Sequence, residues 1–206
     1  MEALKRRIIL AIATTLLITC ASCTVLTDPK WLYFPFPREG DAVLGKTTIQ
    51  EILSRFGEPS LPPVNFNSTK ILGYSQGQAP LPPPLKGMDY SRIKSRIMQY
   101  WFYDDVLVGY IYISDMPEDS TDFDATKIAQ IRKGSTTETE VINLIGKPSG
   151  RSIHPFAERD GTAIGYAYSE MYNGRKGELA TRSKHLAIKI NQNGIVTDVL
   201  FRSKSE

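Results

Sequence analysis

The chain has 206 residues, of which 41% are hydrophobic, 10% aromatic and 23% charged, and its formal net charge is +3. This composition excludes a disordered chain and a collagen-like or low-complexity one. The two cysteines lie three residues apart, which excludes a small fold built on disulfides.

The N-terminus has the pattern of a secretory signal. Lys5, Arg6 and Arg7 precede an apolar stretch from Ile8 to Ile18, and small polar residues follow. In such a signal the cations stay on the cytoplasmic side while the apolar segment enters the membrane. Without residues 1–22, the chain keeps 22 basic and 21 acidic side chains, so its net charge falls to +1. The positive charge therefore describes the signal and does not indicate an acidic partner.

The residues after the apolar stretch resemble the lipobox of bacterial lipoproteins. Ala21-Ser22 precedes Cys23, and in that class the signal is cut before the cysteine, whose thiol then carries a diacylglycerol and acyl chains such as palmitate. We predict lipidation at Cys23, with Cys20 as the less favoured site. Thr24 after the cysteine implies sorting to the outer membrane. An uncleaved anchor and an ordinary cleaved signal are the alternatives.

Residues 23–37 are predicted to form a tether that ends in an aromatic arm. Aromatic side chains favour the headgroup region of a bilayer, and the candidate membrane-proximal residues are Trp31, Tyr33, Phe34 and Phe36. The alternative is that this arm packs on the domain that follows, because large aromatic side chains dominate core burial.

The chain contains two copies of one segment. Gly45 to Ser60 matches Gly134 to Ser149 at seven of sixteen positions, with an offset of 89 residues. Further along, Gly73-Tyr74 matches Gly165-Tyr166 at a similar offset. A duplication of this kind predicts two structural repeats.

Each copy predicts a helix with defined ends. Thr48-Ile-Gln-Glu51 and Thr137-Glu-Thr-Glu140 are capping boxes, in which the Thr hydroxyl and the Glu carboxylate each accept a backbone hydrogen bond. Apolar residues recur at helical spacing after each box. Gly57 and Gly146 suit the residue that follows a helix, and the proline two residues later prevents continuation.

Strand-like sequence follows each helix. Asp104-Asp105 predicts one hairpin turn, Asn193-Gly194 predicts a type I′ turn, and a further short helix is predicted over 124–131. The predicted strands are 71–74, 97–103, 106–114, 162–168, 186–190 and 195–201. The predicted fold class is α+β, with two tandem repeats, each of one or two helices packed on a three-stranded antiparallel sheet.

These predictions divide the chain into five parts. They are a lipoprotein signal peptide (1–22), the tether and aromatic arm (23–37), a first module (38–115), an acidic linker (116–122) and a second module (123–206). We interpret the carboxylates of the linker as solvated rather than as an acid–base pair.

The order of helix, Gly-x-Pro motif, strand and hairpin resembles the SmpA/OmlA family of outer-membrane lipoproteins, whose module is called BamE-like. The resemblance covers about residues 38–114 and 123–203. The tandem arrangement is also similar to that of the secreted β-lactamase inhibitor proteins. The residues that carry the motif are Gly45, Thr47, Thr48, Glu51, Gly57 and Pro59, and Gly134, Thr136, Thr137, Glu140, Gly146 and Pro148.

The resemblance implies a non-enzymatic lipoprotein on the periplasmic face of the outer membrane. Such a protein would act as a protein-binding or scaffold factor in envelope or outer-membrane protein assembly. Its partner would be an envelope protein, with the outer-membrane assembly machinery as a candidate. The alternative function is a membrane-tethered inhibitor of an envelope enzyme.

The first hairpin carries the predicted partner surface, because aromatic residues are enriched at interface hot spots. The candidates are Tyr100, Trp101, Phe102, Tyr103, Tyr110 and Tyr112. Packing within the module is the alternative reading of these residues. The proline-rich segment 79–85 predicts either a polyproline ligand for a partner or a stiff spacer.

The sequence predicts no catalytic residue and no metal ligand. His154 and His185 are the only histidines, and neither lies at a spacing typical of a metal site. No phosphate-binding loop, nucleophile elbow or zinc motif is present. We expect no cofactor, no small-molecule substrate and no nucleic-acid partner.

Overall fold

The computed structural model describes residues 42–66, 68–77 and 89–205. The two candidate lipidation sites, Cys20 and Cys23, lie outside the described residues. The same holds for the proline-rich segment 79–85 and for the four arm residues, Trp31, Tyr33, Phe34 and Phe36. No helix in the described part of the chain is long and apolar enough to cross a membrane.

The described strands form one antiparallel sheet of eight strands, arranged in the order in which they occur along the chain. Each inner strand pairs with the strand before it and the strand after it, and β1 and β8 are the edges. The strands are β1 (Leu61–Phe66), β2 (Thr69–Gly77), β3 (Ser95–Tyr103), β4 (Val106–Ser114), β5 (Gly150–Ser152), β6 (Thr162–Asn173), β7 (Leu179–Ile190) and β8 (Val196–Ser205).

One short α-helix precedes the strands of each half, as the sequence predicts. Helix α1 spans Ile49–Phe56 and helix α2 spans Glu138–Ile145. Both capping boxes are formed, which confirms that prediction. The segment after Asp124 forms a 3-10 helix, Ala125–Gln130, and another 3-10 helix spans Tyr90–Arg92.

The contribution of a capping box to the free energy of unfolding can be measured at Thr137. Its hydroxyl accepts a hydrogen bond from the Glu140 backbone N–H at 3.2 Å. We expect Thr137→Ala to lower the free energy of unfolding by about 1 kcal/mol, because the N–H then loses its partner. Thr139→Ala is the matched control, since Thr139 lies two residues on and caps nothing. Equal effects of the two substitutions in urea denaturation would contradict the assignment of the cap.

The prediction of two separate three-stranded sheets is wrong. Strand β5 pairs with β4 on one side and with β6 on the other, so it joins both halves into a single sheet. Its sequence, Gly150-Arg151-Ser152, is too short and too polar to show the alternation that marks a strand. Strand β1 was also unpredicted, because Pro62-Pro63 argues against a strand except at a sheet edge, and an edge is where β1 lies.

The helices cover one face of this sheet and create two hydrophobic cores. In the first half, Ile52 packs with residues such as Tyr100 and Phe102, and in the second half Val141 packs with residues such as Ile188. These five side chains are at most 1% exposed. The module boundaries predicted at 38–115 and 123–206 remain a prediction.

One tertiary contact occurs twice and reflects the duplication. The Tyr74 hydroxyl donates to the Gly57 carbonyl oxygen at 2.9 Å, and the Tyr166 hydroxyl donates to the Gly146 carbonyl oxygen at 2.9 Å. Both carbonyls lie just past the end of a helix, so each tyrosine ties a helix end to the sheet. Burial raises the pKa of Tyr74 and of Tyr166 to about 12.

The two predicted hairpin turns differ in structure. Asp104 and Asp105 both have positive φ, 48° and 61°, as a type I′ turn requires. In the second hairpin, Gly194 alone has a positive φ, of 75°, and its N–H donates to the Asn191 carbonyl oxygen at 2.9 Å. The prediction of a type I′ turn at Asn193-Gly194 is therefore wrong. The turn begins earlier, at Asn191, whose side chain accepts a hydrogen bond from the Asn193 N–H.

The acidic linker is bound to the sheet through Asp119 and Thr121, whereas its other two carboxylates, Glu118 and Asp122, are exposed. The Asp119 carboxylate accepts hydrogen bonds from the Tyr112 hydroxyl at 2.8 Å and the Ser114 hydroxyl at 2.7 Å, and Arg96 Nε lies 2.7 Å from it. The Thr121 hydroxyl donates to the Ala167 carbonyl oxygen at 2.6 Å. The linker therefore bridges strands of both halves, and the prediction that its carboxylates are solvated is wrong for Asp119.

Candidate protein-binding surface

The face of the sheet opposite the helices carries a broad depression. We call it the open-face groove; its volume is about 690 Å³, and its lining comes from both halves. The groove exists because each strand alternates its side chains, so the residues between the core positions point to the face that has no helix. Its apolar lining includes Phe66, Trp101, Ile111, Ile113, Phe156 and Leu200.

Trp101 forms a wall of the groove in the first half. It lies opposite Gly109 on β4, where a Cβ would come within 2.4 Å of Trp101 Cε3. The indole therefore lies flat over the backbone of β4, which only glycine permits at this distance. The ring of Phe156, from the loop after β5, packs against it at a centroid distance of 5.0 Å.

Small residues make the floor of the groove in the second half. Ala163 and Gly165 on β6 lie opposite Lys189 and Ala187 on β7. Ala163 is 6% exposed, and Ile111 Cδ1 lies over Gly165, so the floor is closely packed at these two positions. At the rim, Leu200 on β8 is 52% exposed. Exposed apolar surface bordered by polar residues is typical of protein interaction sites.

The charged residues around the groove are mainly basic. Lys189 and Arg202 contribute to its lining, together with Arg151, whose guanidinium pairs with Glu138 at 2.6 Å. Asp198 also lines it and is paired with Lys133. These groups predict a partner whose contacting rim is acidic.

His185 borders the groove from β7. Partial burial lowers the pKa of its imidazole, although the side chain remains accessible to solvent. The imidazole is therefore neutral near pH 7 and adds no positive charge to the groove.

The predicted aromatic surface is largely inside the protein. Tyr100, Phe102 and Tyr112 are at most 2% exposed and belong to the first core. They face α1, because alternate residues of β3 and β4 point to the helix side, and so they are not available to a partner.

The remaining three aromatic residues of that predicted surface differ in position. Tyr110 is half-buried and packs against the first core, although it also borders the groove. Tyr103 is 38% exposed at the end of the hairpin. Trp101 alone of the six forms a wall of the groove. Whether it contacts a partner remains a prediction.

Sequence reasoning missed the groove residues of the second half. Ala163, Gly165 and Ala187 show no aromatic or charged signal, so nothing in their chemistry indicates a surface. A signal existed in the alternation of β6, in which small residues at 163, 165 and 167 separate the large Ile164 and Tyr166. Such a strand carries large side chains on one face of the sheet and small ones on the other.

A second cavity, of about 460 Å³, lies between the acidic linker and the end of α2. Tyr112, Asp119 and Tyr166 line it, and all three already hold hydrogen bonds that maintain the fold. Among the described residues, no three His, Cys, Asp or Glu side chains lie close enough to hold a metal ion.

Comparisons with known proteins identify a distant structural neighbour. No family model and no curated protein matches the chain. One solved structure resembles it: a candidate β-lactamase inhibitor protein from Streptococcus mutans, which is 11% identical, with a TM-score of 0.40, over 80% of this chain and 91% of that one. The neighbour belongs by name to the inhibitor class to which the tandem arrangement is similar, but a likeness this distant carries no functional argument. No SmpA/OmlA relative was found.

Proposed function

We propose that this chain is a non-enzymatic lipoprotein that binds another envelope protein in the open-face groove. The observation that carries the proposal is the groove itself, which is shallow, mostly apolar and built from both halves of one sheet. Apolar surface of this kind is costly to leave in water, and a partner that covers it gains the free energy of its burial.

The extent and chemistry of the groove suit a protein partner. Its lining extends over strands of both repeats. Exposed Phe66 and Leu200, at 59% and 52%, offer apolar contacts near its two ends. The basic side chains of Lys189 and Arg202 suit an acidic rim on the partner.

The N-terminal sequence supplies the location in this proposal. A lipid on Cys23 would hold the chain at the outer membrane, facing the periplasm, and the partner would be a protein of the same compartment. Assembly of outer-membrane proteins is the process in which we place it, by the resemblance of its motifs.

The groove is tested by filling it. Ala187 is exposed on the groove floor, so we expect Ala187→Arg to abolish crosslinking to the partner without unfolding the protein. Thr181→Arg is the matched control, because Thr181 is exposed on the same strand outside the groove. The measurement is crosslinking in the native membrane followed by mass spectrometry of the enriched neighbours.

Three results would decide the proposal. Loss of an enriched envelope protein in Ala187→Arg but not in Thr181→Arg supports it. Equal enrichment in both variants and the unmodified chain means that the groove is not the binding site. If the enriched neighbour is an envelope enzyme that the purified chain blocks, the chain is a tethered inhibitor.

Lipidation is tested separately. We expect Cys23→Ser to prevent signal cleavage and to abolish incorporation of labelled palmitate, because the acylated thiol is lost. Cys20→Ser is the matched control and should leave both unchanged. The opposite pattern would move the site to Cys20, and labelling of neither position would contradict the lipoprotein reading.

A further inference from the structure

Strand β8 leaves one long side of the sheet open. It pairs with β7 along one edge, and no described strand pairs with its other edge. Six consecutive residues, Leu200 to Ser205, are exposed, and Leu200 and Phe201 are among the exposed large apolar side chains of the described chain. An open edge with apolar residues is a template for another strand, and native proteins usually cover or blunt it.

In the first repeat, the strand that corresponds to β8 has another strand paired with this edge. β4 is the counterpart of β8, because the N–H of Leu107 donates to the Thr47 carbonyl and the N–H of Val196 donates to the Thr136 carbonyl, at 2.8 and 2.9 Å. These contacts align the two strands at the offset of 89 residues seen in the sequence. β4 is covered by β5, whereas β8 is not.

The counterpart positions also differ in exposure, because Asp119 and Thr121 of the linker bind Tyr112 and Ser114 at this end of β4. Tyr112 in β4 is 2% exposed, and its counterpart Phe201 in β8 is 38% exposed. Ser114 is buried, and its counterpart Ser203 is exposed. The antiparallel pairing of β4 with β5 shows that this edge of the repeat can accept another strand.

Strand β1 of a second copy does not suit that place. β1 is the counterpart of β5, but Leu61 stands in the position of Gly150 and Pro62 in that of Arg151. At Gly150 a Cβ would lie 2.4 Å from the Tyr110 carbonyl oxygen, so a leucine would clash there. Proline also lacks the N–H that an added strand must donate. A head-to-tail filament is thereby disfavoured.

Strand β8 is instead complementary to itself. The N–H of Tyr112 points to β5, donating to the Ser149 carbonyl at 2.8 Å, so the N–H of its counterpart Phe201 points to the open edge. Antiparallel pairing about a two-fold axis at Phe201 places Asp198 opposite Lys204 of the second copy. The axis makes this opposite-charge pair twice, and cross-strand pairs of this kind stabilise a sheet.

We propose that the chain forms a two-fold homodimer in which β8 pairs with β8 of a second copy. The eight-stranded sheets of the two copies then become continuous. The contact is small, so we expect a dissociation constant on the order of 10 µM. Anchoring both copies in one membrane raises their effective concentration.

A charge exchange tests the register. We expect Asp198→Lys and Lys204→Asp each to weaken the dimer at least about tenfold, and the double variant to restore it, because opposite charges again face each other. The measurement is sedimentation equilibrium of the full chain in detergent over a range of concentrations. Lys133→Ala is the control, since it removes the ion pair of Asp198 within the chain and leaves the dimer contact.

Disulfide trapping tests the two-fold axis. Residues in a hydrogen-bonded antiparallel pair have Cα atoms ~5.5 Å apart, which a disulfide spans. Phe201→Cys should therefore crosslink two copies, whereas Val199→Cys, which lies opposite Ser203, should not. The Val199 variant also reports any crosslinking through the other cysteines.

Each other outcome overturns the homodimer. A monomer at concentrations up to about 100 µM lies outside the expected range. A dimer that is insensitive to both single charge changes uses another surface. A complex that needs the β8 edge but contains a different protein assigns the edge to a partner strand. Ala187→Arg lies away from this edge, so failure of the dimer leaves the groove proposal untouched.

Discussion

Gly150→Ala is expected to destabilise the sheet strongly. The added Cβ would lie 2.4 Å from the Tyr110 carbonyl oxygen and 3.0 Å from Ile111 Cα. Both atoms belong to the backbone of β4, so no side-chain rotation relieves the clash. We expect the free energy of unfolding to fall by about 3 kcal/mol, at the upper end of overpacking.

The position of Gly150 gives this substitution a second consequence. β5 pairs with β4 at only three registered positions, and it is the strand that joins the halves of the sheet. Loss of that pairing should expose the linker 116–122 to proteolysis and separate the urea transition into two steps. A single transition with unchanged midpoint would contradict the role of β5.

Gly165→Ala is the matched control for Gly150→Ala. Gly165 lies directly opposite Gly150 on β6, but its Cβ would meet only a side-chain methyl, Ile111 Cδ1, at 3.1 Å. That methyl can move, so we expect a change below about 1 kcal/mol. Equal effects would show that glycine flexibility, and not the approach of β4, determines the result.

Asp119→Ala is expected to give the second large loss of stability. The carboxylate accepts from the hydroxyls of Tyr112 and Ser114 and pairs with Arg96. Tyr112 and Ser114 are buried, so their hydroxyls would be left without this acceptor. We expect a loss of about 2–3 kcal/mol, the usual cost of removing a charged acceptor from buried donors.

Glu118→Ala is the control for that variant. Glu118 also pairs with Arg96, at 2.7 Å, but its side chain is 63% exposed. An exposed ion pair contributes less than about 1 kcal/mol. If the two alanine variants unfold at the same urea concentration, the buried hydroxyls are not what Asp119 stabilises.

The same carboxylate predicts how stability changes with pH. Burial raises the pKa of Asp119, but hydrogen bonds from Ser114, Tyr112 and Arg96 outweigh it and hold the pKa below the ordinary 3.8. The native state therefore binds fewer protons, and the stabilisation is present above pH 3.8 and lost as the pH falls through the lowered pKa. The stability difference between the native chain and Asp119→Ala should shrink across that acidic range.

Local structure could be predicted from the sequence where it depends on residues close together in the chain. The capping boxes at Thr48 and Thr137 formed as predicted, because each is closed by side chains three positions apart. The Asp104-Asp105 turn also agrees with its prediction. The turn at Asn193-Gly194 does not, since the side chain of Asn191 competes for the same backbone N–H groups.

The candidate site was only partly predictable. Aromatic composition identified the first hairpin as a surface, but the pleat of β3 sends Tyr100 and Phe102 into the core and Trp101 to the opposite face. Which face is covered depends on where α1 packs. Identity of side chains alone does not decide this, because both faces of the hairpin carry aromatic residues.

The sequence by itself determined that one segment occurs twice and where the two helices begin and end. The resemblance of its N-terminus to a lipoprotein signal remains a prediction. Only the tertiary structure decided that the two repeats share one sheet and that the groove lies across both. The physical reason is the contact at β5. The three residues of β5, Gly150-Arg151-Ser152, show no periodic pattern. They nevertheless pair with both β4 and β6, because the absence of a Cβ at Gly150 allows the close approach of β4.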